Sequence, residues 1–537
     1  MQSFLKNNWK YLLSLTFLVL VTYGNALNNA FLSDDLAEIV NNPNIGDLGN
    51  AISTHPFGFI RPLLYWISFQ IGGLNQIVFR SINFFFHIGS VFLIYFLINK
   101  LYSKKAGLFT AGIFAVHPVI AEGIIWISGG MYPQYTFFFL FSFFLYLGKS
   151  IKTYWLSVIS FWMAFMSHPQ MPLSLFVIFP LFEICFGNFK KNWKKSIPFF
   201  LIALVYVGVA LGSLPERETT LRSTHYQEKG IANIFEIVPV AISSYFELIF
   251  FPKELTLYHS ELAFPPINFT IRAILTLIFF MGVLFCFKRN KNIFFWGSLF
   301  VIALAPTLTP FRLNWIVAER YLYLPIIGIL VLIGLGLDKL TQKTKFKWFV
   351  YSLFVLIVFM LSSRTIFRNI DWKNEDNLWI ATGKTSPSSP NTHNNLGDVY
   401  GRWGDKQKAL SEFQRAIELK PNYGDAYHNL ANTYMELKQL DKALENYQNA
   451  LKYNPALWQS HQNIAALYFQ DKQYDKALEN IQKAIQINPK NTNLYNNLGI
   501  IYLSMGDKTK AKEVFTLVLS ADPQNQFANL GLIEANK

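Results

Sequence analysis

Long apolar runs recur along the first two thirds of this 537-residue chain, and they constrain its fold more than any other feature. A helix that crosses a membrane needs about 20 predominantly apolar residues. Runs of roughly this length lie near residues 9–27, 77–99, 106–123, 131–148, 154–168, 170–187, 197–213, 270–287, 293–309, 321–338 and 348–366. These eleven runs predict a polytopic, all-α membrane domain over residues 1–380.

The positive charge of the chain follows these runs. The formal net charge is +14, with 47 Lys and Arg against 33 Asp and Glu. Many of the cations form short clusters between the runs: Lys100, Lys104 and Lys105; Lys149 and Lys152; Lys190, Lys191, Lys194 and Lys195; Lys288, Arg289 and Lys291; Lys339, Lys343, Lys345 and Lys347. With the amino terminus in the cytoplasm, every cluster falls on the cytoplasmic side, as the positive-inside rule requires. The excess charge therefore indicates membrane topology and argues against a nucleic-acid-binding surface.

Two apolar segments require separate interpretation. In the first run, the apolar string YLLSLTFLVLV follows Lys6 and Lys10 and lacks the small-residue cleavage site of a secretory signal peptide, so we interpret the run as an uncleaved span. Segment 237–251 is apolar enough to be a twelfth span, but counting it would move the cluster at Lys288 to the outer side. We therefore predict that it is an interfacial or re-entrant segment on the outer surface.

Under this topology the polar connections gather on the outer side of the membrane. They carry Asp34, Asp35, Arg61, the string HPVIAE from His117 to Glu122, His168, the loop 214–268 with Glu216, Arg217, Arg222 and His225, and then Arg312, Glu319 and Arg320. Ionisable residues at the edge of a membrane are costly to retain unless they are used. We therefore predict a functional site on this side.

A second pattern begins after Trp379, where the apolar runs stop. Proline recurs every 34 residues, at Pro387, Pro421, Pro455, Pro489 and Pro523. Small and aromatic residues keep the same spacing: Gly397, Ala431, Ala465 and Gly499; Tyr400, Tyr434, Tyr468 and Tyr502; Ala409, Ala443, Ala477 and Ala511. This pattern is typical of tetratricopeptide repeats, in which small residues let two antiparallel helices pack closely.

The period fixes the predicted boundaries of the carboxy-terminal part. Residues 381–390 are predicted as a linker and residues 391–537 as an α-solenoid of four repeats, with a partial fifth repeat near residues 527–532 as its cap. An odd number of spans would place this solenoid on the same outer side as Asp34 and Asp35.

The order of several short strings resembles the transmembrane and tetratricopeptide-repeat O-mannosyltransferases, a family of GT-C glycosyltransferases. These strings are SDD ending at Asp35, RPLLYWISF from Arg61, RSINFFFH with Asn83 and His87, HPVIAE, AERYLYLP from Ala318 to Pro325, WKNEDNLW from Trp372, and the repeats themselves. The chain differs from the animal members in its few repeats and its short middle loop.

The resemblance implies a multi-pass membrane enzyme. Such an enzyme moves a hexose, mannose or another, from a polyprenyl-phosphate donor to a hydroxyl acceptor, usually Ser or Thr of a protein. The reaction would occur at the outer face, which is the periplasm of a bacterium or the lumen of the endoplasmic reticulum in a eukaryote.

The candidate residues fit this chemistry. The attacking hydroxyl needs a general base, for which Asp35 and Asp34 are the candidates, with Glu122 as a supporting carboxylate. The departing lipid phosphate already carries negative charge and suits bidentate guanidinium groups. Arg61, Arg312 and Arg320 are therefore the candidates for binding the donor phosphate. A single displacement would invert the anomeric centre, unlike the two-step reaction of retaining hydrolases.

Other interpretations of these residues stay open. Asp34 and Asp35 could cap a helix over LAEIVNN, or they could hold a divalent cation. The arginines could be anchors at the membrane edge, and Glu122 could be a helix-end acid. Two further expectations concern polar residues without an assigned catalytic role. His117 and His168 are expected to cap or pack, and Asn83 and His87 could form a hydrogen-bonded pair on one helix face.

Four asparagines share one position in the first helix of each repeat: Asn395, Asn429, Asn463 and Asn497. Amide side chains can bind an extended peptide backbone, so these residues are candidates for binding a protein acceptor. Alternatively, they stabilise the stacking of the repeats.

Two other functions remain to be distinguished from protein glycosylation. A ligase or polymerase of lipid-linked glycans would share the outer site and differ only in its acceptor. A non-catalytic scaffold would need the membrane anchor and the repeats, but not the outer acids and arginines.

Overall fold

The computed structural model describes residues 2–213, 233–308 and 315–537. The chain divides into two compact units, Met1–Thr385 and Ser386–Lys537. Both units are helical, and the described residues contain no β-strand. The predicted all-α class is therefore confirmed.

The first unit contains seventeen α-helices within its described residues. They are α1 (Gln2–Tyr23), α2 (Leu48–Thr54), α3 (Ile60–Gly72), α4 (Gln76–Leu101), α5 (Lys104–Phe114), α6 (Ala121–Ile125), α7 (Met131–Tyr146), α8 (Ile151–Ser167), α9 (Ile178–Cys185), α10 (Phe189–Asn192), α11 (Ile197–Gly212), α12 (Ile234–Phe250), α13 (Pro266–Arg289), α14 (Lys291–Leu304), α15 (Ile326–Thr341), α16 (Lys347–Asp371) and α17 (Glu375–Thr385). The last of these helices occupies the first half of the predicted linker at 381–390.

Several of these helices are long and apolar enough to cross a membrane. Four meet that description within the described residues: Gln76–Leu101, Phe189–Gly212, Pro266–Arg289 and Lys347–Asp371. The bent pair Lys104–Phe114 and Pro118–Ile125 would be a fifth. The predicted span near residues 9–27 overlaps the 22-residue helix α1. The remaining predicted spans coincide with shorter or interrupted helices, such as the 3₁₀ turn Met171–Val177 that leads into α9. The first unit is therefore that of a multi-pass membrane protein.

The bend between α5 and α6 brings a polar string into the interior of the unit. The chain bends by 58° between Lys104–Phe114 and Pro118–Ile125, because Pro118 has no N–H to continue the helix and disfavours helical backbone at His117. The His117 ring accepts a hydrogen bond from the N–H of Val119 (3.3 Å) and bonds the carbonyl oxygen of Ile249 (3.0 Å). His117 therefore caps and packs as predicted, and the chain beyond it carries Glu122 into the core.

The second unit consists of helix pairs with the predicted period. Its helices are α18 (Pro390–Arg402), α19 (Lys406–Leu419), α20 (Gly424–Glu436), α21 (Leu440–Tyr453), α22 (Trp458–Gln470), α23 (Tyr474–Ile487), α24 (Thr492–Ser504), α25 (Lys508–Ala521) and α26 (Gln526–Asn536). These helices form four successive pairs, and the last helix packs on α25.

Close packing explains the small residues of the repeats. A Cβ atom on Gly397 would lie 2.6 Å from the ring of Phe413, so only glycine lets these two helices approach. The turn inside each repeat uses left-handed backbone at an equivalent position. Gly404 and Gly506 occupy it in two repeats, with φ of 82°, whereas Lys438 and Lys472 occupy it in the other two, with φ of 59° and 58°.

Candidate active site

A buried arginine shapes the backbone that carries the two aspartates. Arg80 of α4 donates hydrogen bonds to the carbonyl oxygens of Leu27 (2.9 Å), Asn29 (2.8 Å) and Ala30 (3.1 Å), and to that of Ile125 (2.6 Å). Its side chain is fully buried. The guanidinium thus satisfies carbonyl groups of an irregular segment that would otherwise lack partners. Sequence reasoning gave Arg80 no role, although a single arginine inside an apolar run is itself a signal.

The adjacent residues Asp34 and Asp35 have opposite environments. Asp35 is completely buried, whereas Asp34 is exposed. Ser33, directly before them, adopts φ of 52°, which is a left-handed conformation that residues other than glycine rarely adopt. Such strain persists only where the surrounding structure enforces it, and it is common at functional sites.

The carboxylate of Asp35 is held by three hydrogen bonds. One oxygen accepts from the N–H of Leu32 (3.1 Å), and the other accepts from both the N–H (2.8 Å) and the hydroxyl (2.6 Å) of Ser128. Burial raises the pKa of Asp35 to about 6, although these donors and the charge of Arg80 act in the opposite direction. Asp35 therefore joins the segment after α1 to the turn Ser128–Gly130, and both of its oxygens are already used.

Asp34 lies close to an ion pair that is partly open to solvent. Arg61 contacts the carboxylate of Glu38 at 3.0 Å, and the hydroxyl of Tyr65 donates a long hydrogen bond to the same carboxylate (3.4 Å). Burial raises the pKa of Glu38; the charge of Arg61 lowers it, and that of Asp34 raises it further. The charge of Asp34 therefore acts on both members of the pair of Glu38 and Arg61.

A small polar cavity of about 110 Å³ opens beside this pair. Its lining combines charged, amide, imidazole and hydroxyl groups, from Glu38, Asn42, Asn44, Asn50, Thr54, His55, Arg61 and Tyr65, with the apolar residues Ile45, Ala51 and Pro62. Groups of this kind both donate and accept hydrogen bonds, as a ligand rich in hydroxyls requires. Sequence reasoning named Arg61 here but gave the amide residues no role, because their significance depends on the fold of the loop.

A second arginine site is built on Glu122. Its carboxylate is fully buried and pairs with the guanidinium of Arg320 (2.5 Å) while it accepts the backbone N–H of Arg320 (3.1 Å). The guanidinium, 12% exposed, also lies against the rings of Trp126 and Tyr321. Glu122 therefore acts on Arg320 and has no contact with solvent of its own.

Tyr258 connects the two groups electrostatically. Burial raises the pKa of Tyr258 to about 12; Arg320 lowers it, whereas Asp34 and Glu122 raise it. Its ring packs against Trp315, with ring centroids 4.6 Å apart, and against Trp379, at 5.8 Å. The charges of Asp34, Glu122 and Arg320 therefore all act on Tyr258.

Glu319 anchors the loop that carries Tyr258. Its buried carboxylate accepts the N–H of Thr256 and two hydrogen bonds from Arg368 (3.1 and 3.3 Å). Burial raises the pKa of Glu319, and the charge of Arg368 opposes that shift. The sequence predicted Glu319 on the outer side but gave it no role. Arg368 was not predicted, because a cation directly after a long apolar run usually marks only the end of a membrane helix.

Some of the predicted polar residues are structural. The ring of His168 accepts long hydrogen bonds from the N–H groups of Gln170 (3.4 Å) and Met171 (3.5 Å). Asn83 and His87 do not bond to each other. Asn83 donates to carbonyl oxygens around Trp126, and His87 pairs with the hydroxyl of Tyr323 (2.6 Å).

Arg312 and the charged residues predicted in the middle loop, Glu216, Arg217, Arg222 and His225, lie outside the described residues.

The structure offers little support for a divalent cation at the paired aspartates. Among the described residues, no group of three or more His, Cys, Asp or Glu side chains is placed to hold a metal ion. A cation at Asp34 and Asp35 would have to compete with the three donors that already bind Asp35.

The four candidate asparagines of the repeats differ in their contacts. Asn429 donates to Asn394 (3.1 Å) in the preceding repeat, and Asn463 donates to Asn432 (3.0 Å) and to the hydroxyl of Tyr447 (2.9 Å). Asn395 bonds the carbonyl oxygen four residues before it (2.8 Å). The side-chain amide of Asn497 has no hydrogen-bond partner within the described part of the chain. Three of the four amides therefore already contribute to helix and repeat packing.

Comparison with known families identifies the second unit. A family described as Tetratricopeptide repeat matches residues 390–423 and 492–525, another of the same description matches residues 424–457, and one described as TPR repeat matches residues 466–506. Among solved structures, that of the MamA protein aligns with 28% of this chain and 81% of its own, at 21% identity and a TM-score of 0.26.

Curated relatives extend across both units. A protein O-mannosyl-transferase of Caenorhabditis elegans is 23% identical over 455 residues, which cover 77% of this chain and 63% of that protein. Protein O-mannosyl-transferase TMTC3 of Homo sapiens is 22% identical over 483 residues, which cover 77% of this chain and 52% of that protein. The chain thus spans less than two thirds of the length of either relative. Over most of its own length, this multi-pass membrane protein with carboxy-terminal tetratricopeptide repeats resembles the protein O-mannosyl-transferases.

Proposed function

We propose that the chain is a membrane glycosyltransferase that moves a hexose from a polyprenyl-phosphate donor to a hydroxyl group of a protein. The observation that carries this proposal is the exposed side chain of Asp34, whose charge acts on the ion pair of Arg61 and Glu38. Arg61 and Glu38 in turn line the cavity of about 110 Å³. The names of the relatives support the choice of a sugar and a protein as substrates.

In this proposal Asp34 is the general base. Its carboxylate takes the proton of the acceptor hydroxyl as that oxygen forms a bond to the anomeric carbon. The bond between the anomeric carbon and the phosphate oxygen breaks with its electron pair, and the lipid phosphate leaves. One such displacement inverts the anomeric centre. Asp35 positions its neighbour, because its hydrogen bonds to Leu32 and Ser128 fix the backbone of the loop.

The arginines bind the phosphate of the donor. Arg61 is 21% exposed and is paired with a carboxylate that is itself 31% exposed, so an incoming phosphate can reach it. Glu122 fixes the position of Arg320 by contacting both its guanidinium and its backbone N–H. A phosphate that remains anionic as it leaves needs fixed positive charge and no proton donor. Arg312 stays a candidate for the same role on the grounds of its sequence position alone.

The cavity beside Arg61 is suited to the hexose itself. Carbohydrate hydroxyls act as donors and acceptors at once, and the amides of Asn42, Asn44 and Asn50 can do the same. A cavity of about 110 Å³ suits a single sugar ring better than an oligosaccharide. We therefore assign the donor sugar to this cavity.

The repeats are proposed to deliver the protein acceptor. This role requires the second unit to lie on the same side of the membrane as Asp34, as the basic clusters predict. Asn497, whose amide has no hydrogen-bond partner among the described residues, is the best placed of the four candidates to bind a peptide. Deletion of residues 391–537 should leave transfer to a small soluble acceptor while transfer to protein falls sharply.

The function is tested by supplying the purified protein with radiolabelled polyprenyl-phosphate sugars and a Ser- and Thr-containing protein acceptor. The proposal expects transfer of one hexose to the protein, with release of polyprenyl phosphate. Transfer to a lipid-linked glycan instead would identify a ligase or polymerase. Absence of transfer and of donor hydrolysis with every donor would favour a scaffold.

A further inference from the structure

A groove between α12 and α13 combines an apolar lining with one ion pair. Its volume is about 390 Å³, and most of the lining is aromatic or aliphatic, including Phe246, Phe250 and Leu275. Arg272 and Glu247 are the charged residues that line it. The groove is separate from the cavity beside Arg61, because the two have no lining residue in common.

The ion pair in this groove is held in a fixed geometry. One terminal nitrogen of Arg272 contacts both carboxylate oxygens of Glu247 (2.7 and 2.9 Å), and the other donates to the hydroxyl of Ser243 (2.9 Å). The guanidinium also lies 3.8 Å from the ring centre of Phe264. Arg272 is 15% exposed and Glu247 is 61% exposed. The groove therefore presents a positive and a negative group side by side, with the negative group more accessible.

The groove lies near the amino-terminal end of α13, at the level expected for lipid head groups. This helix is one of the four that are long and apolar enough to cross a membrane, and little of it is buried against the protein. Arg272 lies six residues after Pro266, or about 9 Å along the helix. The cluster at Lys288 and Arg289 lies about 24 Å beyond Arg272, at the opposite end. In a membrane that α13 crosses, this spacing places Arg272 near the boundary between the hydrocarbon and the head groups.

We infer that this groove binds one phospholipid with a zwitterionic head group that ends in a primary amine, as in phosphatidylethanolamine. The phosphate contacts Arg272, the ammonium contacts Glu247, and one acyl chain lies along Phe246, Phe250 and Leu275. Guanidinium and carboxylate groups bind phosphate and ammonium through charge-assisted hydrogen bonds.

Charge complementarity selects this head group over the alternatives. The pair of Arg272 and Glu247 has no net charge, so the accessible carboxylate repels a lipid that carries only negative charge, such as phosphatidylglycerol or a polyprenyl phosphate. A choline head group carries the same two charges as ethanolamine, but its quaternary ammonium has no N–H to donate to Glu247. Glu247 should therefore make the groove prefer ethanolamine to choline. The pair of Arg272 and Glu247 should make it prefer neutral lipids to anionic ones.

The inference is tested by native mass spectrometry of the full-length protein in detergent. The protein is titrated separately with phosphatidylethanolamine, phosphatidylcholine and phosphatidylglycerol of identical acyl chains, and with a polyprenyl monophosphate. At this groove, taken as the part of the binding that Arg272→Gln removes, phosphatidylethanolamine should bind most tightly of the four lipids. Equal or tighter binding of phosphatidylglycerol or of the polyprenyl phosphate at this groove would overturn the inference.

Three variants locate the binding site. Arg272→Gln should weaken phosphatidylethanolamine about tenfold or more, the effect of one lost hydrogen bond to a charged group. Glu247→Gln should remove the preference for ethanolamine over choline. Lys288→Gln, at the other end of the same helix, is the matched control. It should change neither the affinity for phosphatidylethanolamine nor the preference for ethanolamine over choline.

If Arg272→Gln fails to fold, the Glu247→Gln variant alone tests the inference. This variant should fold, because Glu247 is largely exposed and glutamine has nearly the same size as glutamate. An unchanged preference for ethanolamine in Glu247→Gln would contradict the inference.

Discussion

The carboxylate of Asp35 accepts hydrogen bonds from the backbone N–H and the hydroxyl of Ser128, and so joins the loop after α1 to the turn before α7. Replacing Asp35 by Ala would leave those donors, and the N–H of Leu32, buried without partners. Each unsatisfied group costs about 1–3 kcal/mol. We expect Asp35→Ala to lower the melting temperature of the purified protein clearly. Asp34→Ala, at the exposed neighbour, should leave it within error, and equal losses in the two variants would contradict this assignment.

The buried Asp35 also predicts a pH dependence of stability. Its pKa is raised from 3.8 to about 6 in the folded protein, so the unfolded chain loses this proton first as pH rises. Stability should therefore fall between pH 4 and pH 6, by on the order of 3 kcal/mol, and become level above that range. The difference in melting temperature between wild type and Asp35→Asn, measured from pH 4 to pH 7, isolates this group. If the wild-type protein instead gains stability relative to Asp35→Asn between pH 4 and pH 6, the pKa of Asp35 is not raised in the folded protein and the prediction is wrong.

Glu122 and Arg320 form a buried pair whose members should be strongly coupled. Removing one partner leaves the other charge buried alone, at a cost of about 3–5 kcal/mol. Glu122→Gln and Arg320→Met should each destabilise the protein, and the double variant should be less destabilised than the sum of the two. A double-mutant cycle on melting temperatures measures this coupling. Asp398→Asn, which breaks an exposed pair with Arg402, is the control and should cost about 0–1 kcal/mol.

Arg61 is proposed to bind the donor phosphate, and its substitution should act on donor affinity. Arg61→Gln should raise the KM for the polyprenyl-phosphate sugar about tenfold or more, the effect of one lost charge-assisted contact. Arg61→Lys should recover part of that loss, because the charge remains while the bidentate geometry does not. Steady-state kinetics at varied donor concentration separate KM from kcat. A KM unchanged in Arg61→Gln would remove the residue from the phosphate site.

The asparagines of the repeats should separate into structural and acceptor-binding residues. Asn463→Ala removes hydrogen bonds to Asn432 and Tyr447, so faster hydrogen exchange is expected in the surrounding helices. Asn497→Ala breaks no hydrogen bond within the described residues and should leave exchange unchanged while it weakens transfer to protein. Transfer to protein that is unaffected in Asn497→Ala would favour the alternative that these amides serve repeat stacking alone.

The sequence predicted the repeats more completely than it predicted the membrane unit. The 34-residue period determines both the helix pairs and the close contact at Gly397, because each repeat packs only on its neighbours. Apolar runs indicate helices but do not show where a helix breaks, as at His117 and Pro118. Segment 237–251, predicted as interfacial or re-entrant, forms the continuous helix α12 and packs beside α13.

The sequence also predicted the candidate site only in part. The string SDD indicated two candidate bases, but adjacency in sequence could not show that Asp35 points inward and Asp34 outward. That difference depends on the left-handed Ser33 and on donors from Ser128, 93 residues away. The pairing of Glu122 with Arg320 crosses 198 residues, and no local pattern predicts it.

The most direct test of the account is the rate of sugar transfer in Asp34→Asn compared with Asp47→Asn. Asp47 caps α2 in the same loop, and asparagine is an equally good cap, so the second variant makes the same chemical change without affecting the proposed base. Loss of a positioned general base reduces rates by about 10²–10⁴-fold. We expect that loss in Asp34→Asn alone, with both variants melting at the wild-type temperature. Wild-type transfer by a folded Asp34→Asn protein would contradict the assignment of Asp34 as the catalytic base.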